Sequence, residues 1–215
     1  MLFGDIAPSG KLPFTFPVKL EDSPAYAMGN FPNAEPTGGD LFTEQYRRDI
    51  TGGQQMDRRA NRPSPDSKYT EGMLVGYRWY DTKDVKPMYA FGHGLSYVNF
   101  EYDGLKTDKS SYKAKGVIKV SFDLKNTGSM AAEEVAQVYV RRLGSKVEWP
   151  AKELKGFQRV SVPAGTTNRV TVEIPVSSLR YWDVDANDWV LEDGDIEILV
   201  GAASDDIRLS TKVHI

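Results

Sequence analysis

A chain of 215 residues, 40% hydrophobic and 27% charged, has the composition of a globular protein with room for one sizeable core. A formal charge of −3 supplies no broad basic field for nucleic acid or an anionic membrane surface, and no apolar run approaches the ~20 residues of a membrane-spanning helix. The absence of cysteine excludes disulfide frameworks and thiolate chemistry, two histidines argue against a zinc site, and no cofactor is expected.

The first residues, "MLFGDIAPSGKLPF", lack the charged region and apolar stretch of a signal peptide, a pattern also expected of a chain that begins inside a longer protein. Residues 1–97 hold 9 of the 12 prolines, and 21–68 follow neither a 3.6 nor a 2.0 period, so a long, largely irregular segment is expected there. It reads as a functional loop or as a segment that needs support from elsewhere. At 89–97, "YAFGHGLSY", Gly92 and Gly94 flank His93 between aromatic ends, which reads as a tight structural turn rather than a catalytic base.

From residue 98 the chain alternates with period two. In "VIKVSFDLK" (117–125), Ile118, Val120, Phe122 and Leu124 share one face and Lys119, Ser121, Asp123 and Lys125 the other, and "NTG" at 126–128 supplies a turn. The pattern returns in 168–174, 194–201 and 207–215. "ELKGFQRVSV" (153–162) has an uneven phase between Leu154 and Val160, with Gly156 between them, as a β-bulge produces. With 98–105, 134–141 and a short stretch near 188–191, seven or eight strands are expected. That count and spacing give a mainly β fold, an immunoglobulin or fibronectin type III-like β-sandwich.

Four stretches then carry a resemblance: "GDIAPSGKLPFTFP" (4–17), "YTEGMLVGYRWYDTKDVKPMYAFGHGLSYVNFEY" (69–102), "VEWPAKELKGFQRVSV" (147–162) and "LEDGDIEILVGAASDDIRL" (191–209). In that order they resemble the C-terminal region of glycoside hydrolase family 3 β-glucosidases. The resemblance implies that 1–17 are the tail of an α/β sandwich domain, 18–97 a connecting segment with a long loop, and 98–215 a fibronectin type III-like domain. It implies retaining hydrolysis of terminal β-D-glycosyl residues by the complete protein, with a β-linked oligosaccharide or aryl glycoside as substrate and the enzyme's other catalytic domains as partners. It further implies a bacterial periplasmic or secreted location.

Retaining glycosidases need two carboxyl groups roughly 5 Å apart. The resemblance places both upstream of "PSGKLP", so no catalytic residue carries over to this chain. Glu71 and Tyr69 in "YTEG" and Asp81 in "RWYD" are the residues expected nearest a sugar. Their other reading is local: Glu71 caps or pairs nearby, and Asp81 pairs with Arg78. Tyr77, Trp79, Tyr80 and Tyr89 read as interdomain core or as sugar platforms. Trp182 and Trp189 flank "DVDAND", which reads as a surface hairpin or, less well, as a calcium loop without the required Gly and Glu. The alternative to an accessory part of a β-glucosidase is a free-standing carbohydrate-binding or adhesion module.

Overall fold

In strand β2 (Val117–Asn126) the even positions Ile118, Val120, Phe122 and Leu124 are fully buried, while the odd positions are exposed or half-buried. This is the alternation of a sheet with one face on a core. The computed structural model describes residues 2–30 and 69–215. Its other strands are β1 (Phe100–Thr107), β3 (Ala132–Arg142), β4 (Glu153–Val162), β5 (Thr167–Pro175), β6 (Tyr181–Asp183), β7 (Asp188–Val190), β8 (Asp195–Ala203) and β9 (Asp206–His214).

All strand pairs are antiparallel. β1-β2-β5 form one sheet, β4-β3-β8-β9 a second, and β6-β7 a separate hairpin. The two larger sheets enclose one core, in which Phe122, Val138, Val172 and Ile198 all take part. This is the expected sandwich. The expected bulge is also present, because Val138 lies opposite Gly156 and Tyr139 opposite Leu154, leaving Lys155 as the extra residue. Gly156 is required there, since a Cβ would collide with Val172. The "NTG" turn is closed by buried Asn126, whose Nδ2 donates to the carbonyls of Met130 (2.8 Å) and Val162 (3.0 Å) and whose Oδ1 accepts from Gly128 N (2.9 Å).

The four-stranded sheet is covered on its outer face as well. Gln137 and Tyr139 on β3 point away from the core yet are buried. The cover comes from α2 (Tyr77–Thr82) and the turn at 89–94. Tyr77 stacks on Phe91 with ring centroids 4.9 Å apart and meets Tyr139 edge-on at 5.9 Å. Gly92, at φ +81°, lies against the Gln137 carboxamide, where a Cβ would collide. Residues 12–16 run beside 88–93 as a ribbon: Leu12 N donates to His93 O (2.9 Å), Gly92 N to Leu12 O (2.8 Å) and Phe16 N to Tyr89 O (2.8 Å).

The described chain divides into two compact units, Met1–Val18 with Met73–Ile215, and Lys19–Gly72. Within the second, a 3-10 turn at Leu20–Asp22 leads into α1 (Pro24–Ala27), which begins with proline where an unpaired N–H would otherwise stand. Asn30 Nδ2 donates to Thr70 Oγ1 (2.6 Å). Residues 31–68, most of the segment expected to be irregular, lie outside the described residues.

Candidate functional site

The "RWYD" and "FGHG" motifs build a polar and aromatic seam against β3 and β4. Gly76 takes φ +60° and lets the chain turn into α2, whose Trp79 and Tyr80 are buried. The helix is then fastened to the start of β4. Leu154 N donates to the Tyr77 hydroxyl (2.8 Å) and Ala151 N to Thr82 Oγ1 (2.8 Å). Arg78 pairs with Glu153 (3.2 Å), which also pairs with Lys155 (3.1 Å), and Asp81 pairs with Lys152 (2.8 Å). The expected Arg78–Asp81 pair is therefore replaced by two separate pairs, Arg78 to Glu153 at the start of β4 and Asp81 to Lys152 just before it. Burial raises the Asp81 carboxyl above its ordinary range, the Lys152 ammonium opposes this, and Asp205 adds to it.

Tyr69 is exposed and Glu71 half-buried, both in the Lys19–Gly72 unit; Glu71 Oε2 is shut off from solvent with no hydrogen-bond partner among the described residues. Of the aromatic cluster, Trp79 and Tyr80 pack with Leu74, while Tyr89 stays about half exposed between Phe16 (6.1 Å) and His93 (5.1 Å). His93 works through its backbone, where its carbonyl receives Leu12 N. The turn reading of "FGHG" therefore stands, with Gly94 facing the Gly10 carbonyl so closely that a Cβ would collide.

A second site lies at the β6-β7 hairpin. Asp183 Oδ1 accepts from Asp185 N and Ala186 N, both at 2.9 Å, and Asn187 takes φ +50°, so "DVDAND" is the turn of a surface hairpin. Trp182 and Trp189 face each other across it, centroids 5.7 Å apart and planes at 77°. Beside the hairpin is an open cleft of about 630 Å³ lined by these two rings, Trp149 and Tyr181, with Glu148 and Arg180 among its polar residues.

Its other wall, the 143–150 loop, is held from beneath. Glu192 accepts from Ser145 Oγ (2.6 Å) and Lys146 N (2.9 Å). Arg142 donates to the carbonyls of Glu192 (3.0 Å) and Leu179 (2.8 Å) and lies over the Trp149 ring at 5.3 Å. Burial alone would raise the Glu192 carboxyl, but these donors and the Arg142 charge outweigh it and hold the carboxyl below its ordinary value. Trp149 meets Tyr181 edge-on at 6.2 Å. Sequence reasoning missed this cleft, although three of the four tryptophans fall within 149–189 among charged residues.

Comparison with known proteins follows the same outline. The fibronectin type III-like domain family matches residues 134–204. Thermostable beta-glucosidase B of Acetivibrio thermocellus is 39% identical over the whole chain, which covers 24% of that protein, and beta-glucosidase BoGH3A of Bacteroides ovatus is 37% identical over 97% of the chain, again 24% of the relative. Among solved structures, a GH3 beta-glucosidase from Bifidobacterium adolescentis superposes with a TM-score of 0.79 at 32% identity, covering 100% of this chain and 27% of that one. Beta-glucosidase 3B from Thermotoga neapolitana gives 0.77 at 34%, covering 100% and 25%. The chain thus spans about a quarter of the length of the relatives it matches. Motifs, sandwich and relatives lead to one assignment: the chain corresponds to the C-terminal, fibronectin type III-like region of glycoside hydrolase family 3 β-glucosidases.

Proposed function

We propose that this chain is the accessory part of a retaining β-glucosidase, one that braces the catalytic domains and supplies no catalytic carboxylate itself. The single observation that carries this reading is the end-to-end match to about a quarter of each of several β-glucosidases. In this reading residues 1–17 belong to the end of an α/β sandwich domain, 18–97 connect, and 98–215 form the fibronectin type III-like domain. The uses of the carboxylates support it. Asp81 is paired with Lys152, Glu153 with Arg78 and Lys155, and Glu134 with Lys11 (2.8 Å) and the Tyr102 hydroxyl (3.1 Å). The exposed apolar side chains Phe3, Phe14, Tyr89, Leu95 and Tyr97 offer surface for docking the rest of the enzyme.

In the complete enzyme the substrate is a β-linked oligosaccharide or aryl glycoside, and Tyr69, Glu71 and Asp81 are the residues of this chain nearest to it. Glu71 carries that part best, because its enclosed oxygen has no hydrogen-bond partner among the described residues. A free-standing module is the weaker reading, since the match to the enzymes includes residues outside the 134–204 domain. The test is hydrolysis of a chromogenic aryl β-glucoside by the chain alone and by the chain mixed with the remaining domains. Turnover only in the mixture is expected; turnover by the chain alone that is lost in Glu71→Gln would overturn the accessory assignment.

A further inference from the structure

Trp182 and Trp189 are 47% and 53% exposed, although each already packs against the other. Large aromatic rings left in water on one wall of a concave site, ringed by charged side chains, are the informative kind of exposed apolar surface. The pairing across the hairpin accounts for one edge or face of each ring and leaves the rest unused. The opposite wall is fixed rather than loose, because Arg142 and Glu192 tie down the loop that carries Trp149. The result is a preformed cleft with aromatic walls and a polar rim.

The dimensions and charges narrow the occupant. A volume of about 630 Å³ lies within the roughly 300–1,000 Å³ of small-molecule sites. Glu148, Glu153, Asp183 and Asp185 outnumber Lys155 and Arg180 around the cleft, which disfavours a nucleic acid or another polyanion. A neutral ligand with flat C–H faces and a rim of hydroxyl groups fits both features, and a pyranose has that form. Because the two indole planes stand 77° apart, they cannot lie together against the flat face of a crystal. They form a corner suited to one soluble chain.

We propose that this cleft is a carbohydrate-binding subsite for a β-linked glucosyl oligosaccharide, with Trp182 and Trp189 as stacking platforms and Arg180 and Glu148 as hydroxyl partners. The sugar class follows from the cleft; the β-linked glucosyl identity rests on the proposed β-glucosidase function. The subsite holds substrate chains near the enzyme without taking part in bond cleavage.

The experiment titrates the isotopically labelled full chain with cellotetraose and follows the four tryptophan indole N–H signals by NMR. The signals of Trp182 and Trp189 shift with a common Kd, that of buried Trp79 does not, and Trp182→Ala weakens binding by at least about tenfold, as removal of an aromatic anchor does. Absence of any shift overturns the proposal, and so does equal affinity in a folded Trp182→Ala chain. If that variant does not fold, the wild-type indole shifts decide alone. Equal binding of maltotetraose overturns the β-linked assignment. Indole shifts on adding the remaining enzyme domains but not on adding cellotetraose would make the cleft an interdomain face and also overturn it. Hydrolysis by the chain alone would sink the accessory reading while leaving this binding result standing, so the two failures are separable.

Discussion

Phe122 and Asp123 are neighbours on β2 with opposite environments. Phe122 is fully buried and stacks on Tyr102 at 6.0 Å, whereas Asp123 forms a half-exposed pair with Arg169 at 3.0 Å. Phe122→Ala is expected to cost about 3–5 kcal/mol and Asp123→Ala under about 1 kcal/mol, read from urea midpoints. Similar midpoints for the two would contradict the assigned core. Gly92 is the second test at this scale. Its left-handed backbone and its contact with Gln137 leave no room for a side chain, so Gly92→Ala is expected to cost at least about 2 kcal/mol.

His214, near the chain's end, lies 2.9 Å from Asp195 through Nδ1 and 3.4 Å from Asp193 through Nε2. The hydrogen bond to Asp195 and the two carboxylates raise its pKa above the ordinary 6.5. The folded state therefore holds this proton more tightly than the unfolded chain. The stabilisation is complete below about pH 6.5 and disappears as the pH rises through the raised value. An NMR titration of the His214 ring should show a midpoint above 6.5 that falls in Asp195→Asn; an unchanged midpoint would remove the pair as the cause.

Among the elements, α2 depends on β4 more than on its own six residues, since so short a helix is marginal without tertiary contacts. Removing Lys152 leaves Asp81 as an enclosed, unpaired carboxylate, and Lys152→Ala is expected to cost about 3 kcal/mol. Replacing both partners with apolar residues should cost much less, and equal losses for single and double replacements would refute the pairing as the fastening. The raised Asp81 carboxyl gives an unusual sign. The folded state binds its proton better than the unfolded state, so this group's contribution falls as pH rises from the ordinary 3.8 through the folded value.

What was legible also sorts by element. Alternation in 117–125 and 194–201 exposed the sandwich, because one face is buried and the other wet, and Gly156 marked the bulge. Burial on the outer face of β3 was not legible at Gln137 and Tyr139. It depends on Phe91 and Gly92, more than forty residues earlier, and no local period records such a contact. The joining of 12–16 to 88–93 is equally non-local. β6 was absent from the expected strand count because three residues are too few to establish a period. At the candidate sites, the "FGHG" turn and the hairpin were readable from glycine and Asp/Asn chemistry. The Trp149 wall was not, since its placement comes from Arg142 and Glu192, fifty residues apart.

At the scale of the whole molecule, two antiparallel sheets close one core, and the 73–97 segment seals the outer face of the larger sheet. The N-terminal ribbon leaves aromatic and aliphatic surface exposed beside that seal. A rigid sandwich with such a face suits a bracing role, and the enclosed carboxylates Asp81, Glu134 and Glu153 are committed to ion pairs within it. Retaining cleavage needs one carboxylate to attack and a second to protonate the leaving oxygen, and bracing cannot substitute for either. The most direct test of this account is the rate at which the purified 215-residue chain, confirmed as folded, releases chromophore from an aryl β-glucoside. The expected rate equals the buffer blank, with turnover appearing when the remaining domains are added. Release by the chain alone, abolished by Glu71→Gln, would contradict it.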